Sequence, residues 1–422
     1  MKRHSILIFI LIVFVLPAVK GGVPLDSCIQ AALKHQSFFL QQAAIQEASQ
    51  LAHESLGKNW LPQMSVQASA TFQNEQIEFP SGLPGMEMPE VPLNMYKGLI
   101  NLYQPIYDAG LTSIKQQLSQ LDYSKEAIEL EIQKYKVKQQ VATLFFGLLL
   151  TKEQQAVIAT NLKTLEERLK QLEGAAAAGA ALQSEVIGLR AELFSLEQKQ
   201  AESRFAYQSL LDQMNTITGK SFGLQDEFLH GQSKVELGDL SVDLRPELRV
   251  LQNRQDYLSF AEKMEKAKLT PTIGLNANAG MGNPGYNILN EGWAPMLFAG
   301  FSLNWKFWDW NQSKKQREIL QIRSTFLHME KERATIGLQL ELNKLRNEIL
   351  KNKSLLISDV EIVKLREEVL KRASGQLDNG VITSTAYLVE LNKTKEAQMQ
   401  LAIHQIQLQM QQVNFLMVKG LY

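Results

Sequence analysis

Leu102, Asp108, Lys163, Glu166, Leu169, Lys170, Gly179 and Gly219 recur 201 positions later as Leu303, Asp309, Lys364, Glu367, Leu370, Lys371, Gly380 and Gly420. An offset held constant over that span leaves no room for insertions, so the chain holds two copies of one supersecondary unit with helices of equal length. The copies span about 22–219 and 244–422, joined by a linker at 220–243. A repeat of this size favours a symmetric or tubular assembly over an enzyme built around one cleft.

Residues 1–21 read as an export signal. Lys2 and Arg3 supply the positive end, Ile6 to Leu16 an apolar run closed by Pro17, and the small residues between Ala18 and Gly22 a cleavage site. A run of about 11 residues falls short of the ~20 that a bilayer-spanning helix needs. The single cysteine, Cys28, excludes an internal disulfide framework. It follows Pro24, Leu25, Asp26 and Ser27 rather than small residues behind the apolar run, which argues for a lone buried thiol and against lipidation.

Basic and acidic side chains balance at 44 each, so no electrostatic case for nucleic acid arises. Six scattered histidines give no metal-ligand spacing. The sequence has no Gly-rich phosphate loop, nucleophile elbow or paired carboxylate with a positioned partner. It is read as a non-enzyme without a cofactor.

Each copy is expected to open with a helix, about Leu25 to Asn59 and Pro246 to Lys268, that stops before Leu61-Pro62 or Thr270-Pro271. A period of two follows. Met64, Val66, Ala68, Ala70 and Phe72 alternate with Gln63, Ser65, Gln67, Ser69, Thr71 and Gln73; Ile273, Leu275, Ala277, Ala279 and Met281 alternate with Thr272, Gly274, Asn276, Asn278 and Gly280. These are strands with one oily and one wet side. Irregular loops at about Glu75–Asn94 and Gly282–Pro295 lead to second strands, with Phe301, Leu303, Trp305 and Phe307 on the oily face and, by the register, Ile100, Leu102, Gln104 and Ile106 in the first copy. The wet face is read as uncharged apart from Lys306.

An amphipathic strand pair usually covers a soluble core. Here the flanking helices are too long and too charged to cover a sheet face, which favours a membrane barrel with a polar lumen. Four strands cannot close one, since small transmembrane barrels start at eight; three copies would supply twelve.

From about Leu111 to Glu173 and Gln312 to Ala373 there is no proline and almost no glycine, so each stretch predicts one helix of roughly 60 residues, ~90 Å long. Ile158, Leu162, Leu165, Leu169 and Leu172 keep a 4-3-4-3 spacing, the seam of a coiled coil. Each long helix turns near Gly174 or Gly179, and Gly375 or Gly380, and a return helix of about 36 residues runs to Gly219 or Gly420. Being shorter, it is expected to stack end to end with the opening helix.

In that order, Leu61-Pro62, Gln104-Pro-Ile-Tyr-Asp108, Leu244-Arg-Pro-Glu-Leu248, Lys306-Phe-Trp-Asp309 and Gly380-Val-Ile-Thr-Ser-Thr385 resemble the TolC family of outer-membrane efflux proteins, from about Val23 to Leu421. The resemblance implies a mainly α chain with a transmembrane β-barrel. Long α-helical hairpins would form a periplasmic helical barrel, and four strands per chain a twelve-stranded barrel in a homotrimer. It implies a passive duct of a tripartite efflux pump or type I secretion system, in the outer membrane of a Gram-negative bacterium and extending into the periplasm. Its partners would be outer-membrane lipid, a periplasmic adaptor (membrane fusion) protein and an inner-membrane transporter of RND, ABC or MFS type. The competing reading is a periplasmic coiled-coil scaffold or adaptor.

By this resemblance the tips Gly179 to Ser184 and Gly380 to Thr385 meet the adaptor, with Gly179, Leu182, Ser184, Gly380, Thr383 and Thr385 as docking residues. The alternative is helix capping by Ser184 and Thr385. Asp108 and Asp309 are read as caps of the long helices. Some relatives place aspartates six and nine positions after the tip glycine and an arginine two after it; here those positions hold Ala386, Val389 and Ile382. Glu185 holds the six-after position in the first copy, where threefold symmetry makes it a candidate carboxylate ring, against a solvated surface glutamate.

Overall fold

The computed structural model describes residues 22–75, 92–229, 231, 235–288 and 292–422. The expected export signal, most of the first strand-connecting loop and parts of the second loop and of the linker lie outside them. The chain divides into two units, the first comprising residues 1–36, 137–235 and 347–414 and the second 37–136, 236–346 and 415–422.

In the first unit a short parallel pair joins β1 (Val23–Pro24) to β4 (Phe228–Leu229), and α1 (Leu25–His35) follows. Cys28 sits fully buried in α1, where burial pushes its thiol up to about 12. The linker is anchored by aromatic packing: Phe228 meets both Phe222 and Phe145 edge-on, and Phe145 is fully buried. Asn215 holds its start, donating to the Phe222 carbonyl and accepting from the Phe222 amide.

The long helices α3 (Leu111–Ala177) and α6 (Gln312–Asp378) are both 67 residues long, about 100 Å of helix each. Their return helices α4 (Gln183–Thr218) and α7 (Ser384–Lys419) are both 36. The 201-residue register thus holds for all four hairpin helices. The seam is buried as its spacing predicts: Ile158, Leu162, Leu165 and Leu169 are in the core, with Leu172 packed beside them.

The second unit carries a four-stranded antiparallel sheet in the order β2 (Gln63–Phe72), β3 (Asn94–Tyr107), β5 (Thr272–Asn283), β6 (Ala294–Asn304). Directly paired residues share a face. Pairing therefore puts Met64, Val66, Ala68, Ala70 and Phe72 beside Leu102, Ile100, Gly98 and Tyr96, then Met281, Ala279, Ala277 and Leu275, then Leu297, Ala299, Phe301 and Leu303. That face is oily across its middle, with Asn94, Gln104 and Asn283 only towards its ends, and open to solvent in the single chain, with Val66, Leu297 and Phe301 each 78–80% exposed. Gln67, Asn101, Asn278, Asn276 and Ser302 lie on the other.

Aromatic residues mark both ends of the sheet. Tyr96 meets Phe72 edge-on and stacks on Trp293 at the loop end, while Trp305 packs on Phe307, and Trp308 on Trp310, at the helix end.

Four expectations are corrected. The opening helix of the first copy is broken into α1 and α2 (Phe38–Gly57) because Ser37 adopts the left-handed conformation, with φ of 58°. α5 (Pro246–Ala267) in the second copy is continuous. A bulge between Pro105 and Tyr107 sets Tyr107, not Ile106, opposite Ile273. Pro105 lies beyond the last β2 partner, Tyr103, so its missing N–H costs no bond on that side. Finally, β6 ends at Asn304, which leaves Trp305, Lys306 and Phe307 outside the ladder, and the charge on the wet face is that of Lys97, which lies within the expected second strand of the first copy.

Candidate functional site at the hairpin tips

Each long helix ends in the same turn. Gly179 and Gly380 hold φ of 77° and 68°, the left-handed conformation that glycine adopts without strain. Their amides donate to Ala176 O and Leu377 O, and the next amides, of Ala180 and Val381, donate to Ala175 O and Gln376 O. This paired pattern satisfies the last carbonyls and reverses the chain.

The return helices start differently. α4 begins after Leu182, an extended residue with no side chain to cap the helix, and Leu182 is 67% exposed. In α7 the Thr383 hydroxyl accepts from the Ala386 amide at 3.3 Å. Thr383 is thus the cap, and neither Ser184 nor Thr385 fills that role; both are exposed.

Behind the turns lies a shared core of Leu165, Leu169, Val186, Leu189, Ala373, Tyr387 and Leu391, drawn from all four helices. Arg168 crosses it, 9% exposed, with its guanidinium paired to Asp378, donating to the Ser374 hydroxyl and lying 5.2 Å from the Tyr387 ring centre. Burial opposes the charge of Arg168, but its bonds to Asp378 and Tyr387 outweigh it and raise its pKa. A buried cation held this way ties α3 to α6 and α7; removing a partner would leave the charge uncompensated. Glu185, half-buried, accepts from the buried Ser384 hydroxyl at 3.2 Å, joining the two tips. Lys395 pairs with Glu192 and Arg190 with Glu173 nearby.

At the opposite ends of α3 and α6, Asp108 accepts from the Thr112 amide at 2.7 Å and Asp309 from the Ser313 amide at 2.8 Å, so both aspartates cap as expected. Bonds from Ser313 hold the Asp309 carboxyl below its usual range. Among the described residues no cluster could hold a metal ion, and no helix is long and apolar enough to cross a membrane.

No protein-family model matches the sequence, and no curated protein matches it. Solved structures do. VceC, an outer membrane protein of Vibrio cholerae, matches with a TM-score of 0.75 at 15% identity over 94% of this chain and 96% of that one. The outer-membrane channel OprN matches with 0.75 at 15% identity, over 94% and 89%. The CmeC outer membrane channel of Campylobacter jejuni gives 0.71 at 15%, over 94% and 85%.

The chain has the fold of these outer-membrane channels. Within the channel fold, the tip residues that sequence reasoning missed are Arg168, Asp378, Ser384 and Tyr387. Three of the four stand where the copies differ in character: Arg168 against Val369, Asp378 against Ala177 and Tyr387 against Val186. Breaks in the repeat near a helix tip were the available signal.

Proposed function

We propose that the chain is the outer-membrane exit duct of a tripartite efflux pump or type I secretion system, working as a homotrimer whose tips reach into the periplasm. The sheet carries this reading: one face is apolar and exposed across its middle, with polar residues only towards its ends, and its outer strands β2 and β6 each pair on one side only. Unpaired strand edges are not tolerated in lipid, and four strands are too few to close a barrel, so three copies joined β6 to β2 are the smallest trimeric closure, with twelve strands. The oily face then meets lipid, and the two aromatic rows fall at its interfaces.

The helices support the same assembly. Ile187, Phe194 and Phe205 line one exposed face of α4 at 61%, 61% and 76% exposure, a seam without cover in one copy that a neighbouring copy would bury. An adaptor at Gly179, Leu182, Ser184, Gly380, Thr383 and Thr385, and an inner-membrane transporter that supplies energy, complete the pump. Fractionation tests the reading. Heat-modifiable trimers in the outer membrane support the duct; soluble monomers in the periplasm support the scaffold.

In the trimer Glu185 forms a ring of three carboxylates close to the tips. Glu185→Gln is expected to lower cation selectivity in planar-bilayer recordings without loss of trimers. Unchanged selectivity would show that its bond to Ser384, rather than a pore charge, is its role.

A further inference from the structure

The barrel wall is almost free of charge. Across the four strands one residue alone, Lys97, carries a formal charge. It pairs with Ser69 on β2 and Gly282 on β5, so it stands on the wet face with Gln67, Asn101 and Asn278. Its chain neighbour Tyr96 lies on the opposite, oily face, within the aromatic row of Phe72 and Trp293. Lys97 is exposed, and among the described residues no carboxylate pairs with it. It therefore sits at the loop end of the sheet, away from the long helices, on the side that carries the amides and hydroxyls together with Met95, Leu99, Met296 and Phe298.

We propose that Lys97 sets an anion preference in the barrel. This rests on the trimeric-duct reading, in which three copies place three lysines in one ring around the lumen. Twelve strands spaced ~4.8 Å apart and tilted ~40° put the backbone at a radius of about 12 Å, and side chains narrow the lumen further. The screening length is about 10 Å at 0.1 M salt and about 30 Å at 0.01 M. At low salt the field of the ring therefore spans the whole opening, and low-dielectric walls focus it. The other strand residues on this face, polar or apolar, supply no fixed charge to oppose it. Rings of lysine favour anions in pores for this reason. The solute class favoured at this level of the duct is small and anionic.

The test uses the full-length trimer in planar bilayers of zwitterionic lipid, across a gradient of about 0.01 to 0.1 M KCl. Lys97→Gln is expected to lower the chloride-to-potassium permeability ratio roughly threefold, Lys97→Glu to lower it further, and Lys97→Arg to keep the wild-type value. The differences are expected to vanish at about 1 M KCl, where screening falls to ~3 Å. Conducting channels whose reversal potentials are the same in wild type, Gln and Glu variants at low salt overturn the lysine ring while leaving the duct intact. Wild-type trimers that open no conductance overturn the duct reading, and the ring with it.

Discussion

Replacing Gly280 by valine is expected to remove heat-modifiable trimers from the outer membrane, whereas Gly98→Ala leaves them near the wild-type level. The two glycines lie on adjacent strands but in different surroundings. A Cβ at Gly280 would sit 2.0 Å from the Gly98 carbonyl oxygen and 2.9 Å from the Leu99 Cα, which are backbone atoms that no rotamer change can move. A Cβ at Gly98 meets nothing within 4 Å. Forcing β5 away from β3 breaks the central pairing of the sheet, and overpacking of this kind costs about 1–3 kcal/mol per site. A trimer carries the substitution three times, so assembly is expected to weaken by roughly two or more orders of magnitude. Immunoblots of unheated membranes, with Gly280→Ala as an intermediate case, measure it. Normal trimer yield from Gly280→Val would mean that the strands part without penalty and that the glycine has no structural role.

The helical half of the fold was legible because helices obey local rules. Absence of proline, a 4-3 seam and paired glycines define α3, α4, α6 and α7 within a few residues, and the constant register forces their lengths to match. The backbone keeps that register even where residues differ: Ala109 and Trp310, then Gly110 and Asn311, all hold positive φ at the strand-to-helix corners. What escaped depends on pairing between distant segments. Alternation assigns faces only while a strand stays regular, so the bulge at Ile106 and the end of β6 followed from hydrogen bonding that no single strand reveals. Lys306 left the ladder for that reason, whereas Lys97 was simply overlooked: alternation back from Ile100 already puts it on the wet face. The break at Ser37 carries neither proline nor glycine and gave no warning.

At the tips the turns were legible and the contacts were not. Glycine spacing places Gly179 and Gly380 correctly, since a left-handed helix end has few alternatives. Arg168 and Asp378 are 210 residues apart, and their meeting needs the packing of α3 against α6. Thr383 rather than Thr385 caps α7, a shift of two residues that helix propensity does not resolve. Ser384, between them, turns inward to Glu185, so one short segment divides its polar residues between its own helix, the other hairpin and solvent.

That division makes the exposed part of the tip the place to test docking, and Gly380→Trp is expected to abolish export while trimers remain in the outer membrane. With φ at 68°, any side chain at Gly380 costs about 1–2 kcal/mol. Space is not limiting, because a Cβ there meets nothing within 4 Å. The indole therefore projects outward instead of into the core of Leu169, Tyr387 and Leu391, and the barrel is untouched. Gly380→Ala carries the same backbone strain without the bulk, so near-wild-type export from alanine and none from tryptophan isolates a surface that a partner must approach closely. Growth at inhibitor concentrations that only an active pump tolerates, or secretion of a cognate polypeptide, gives the readout. Equal loss in both variants would assign the defect to the turn itself, and full export in Gly380→Trp would exclude the tip from the interface with the adaptor.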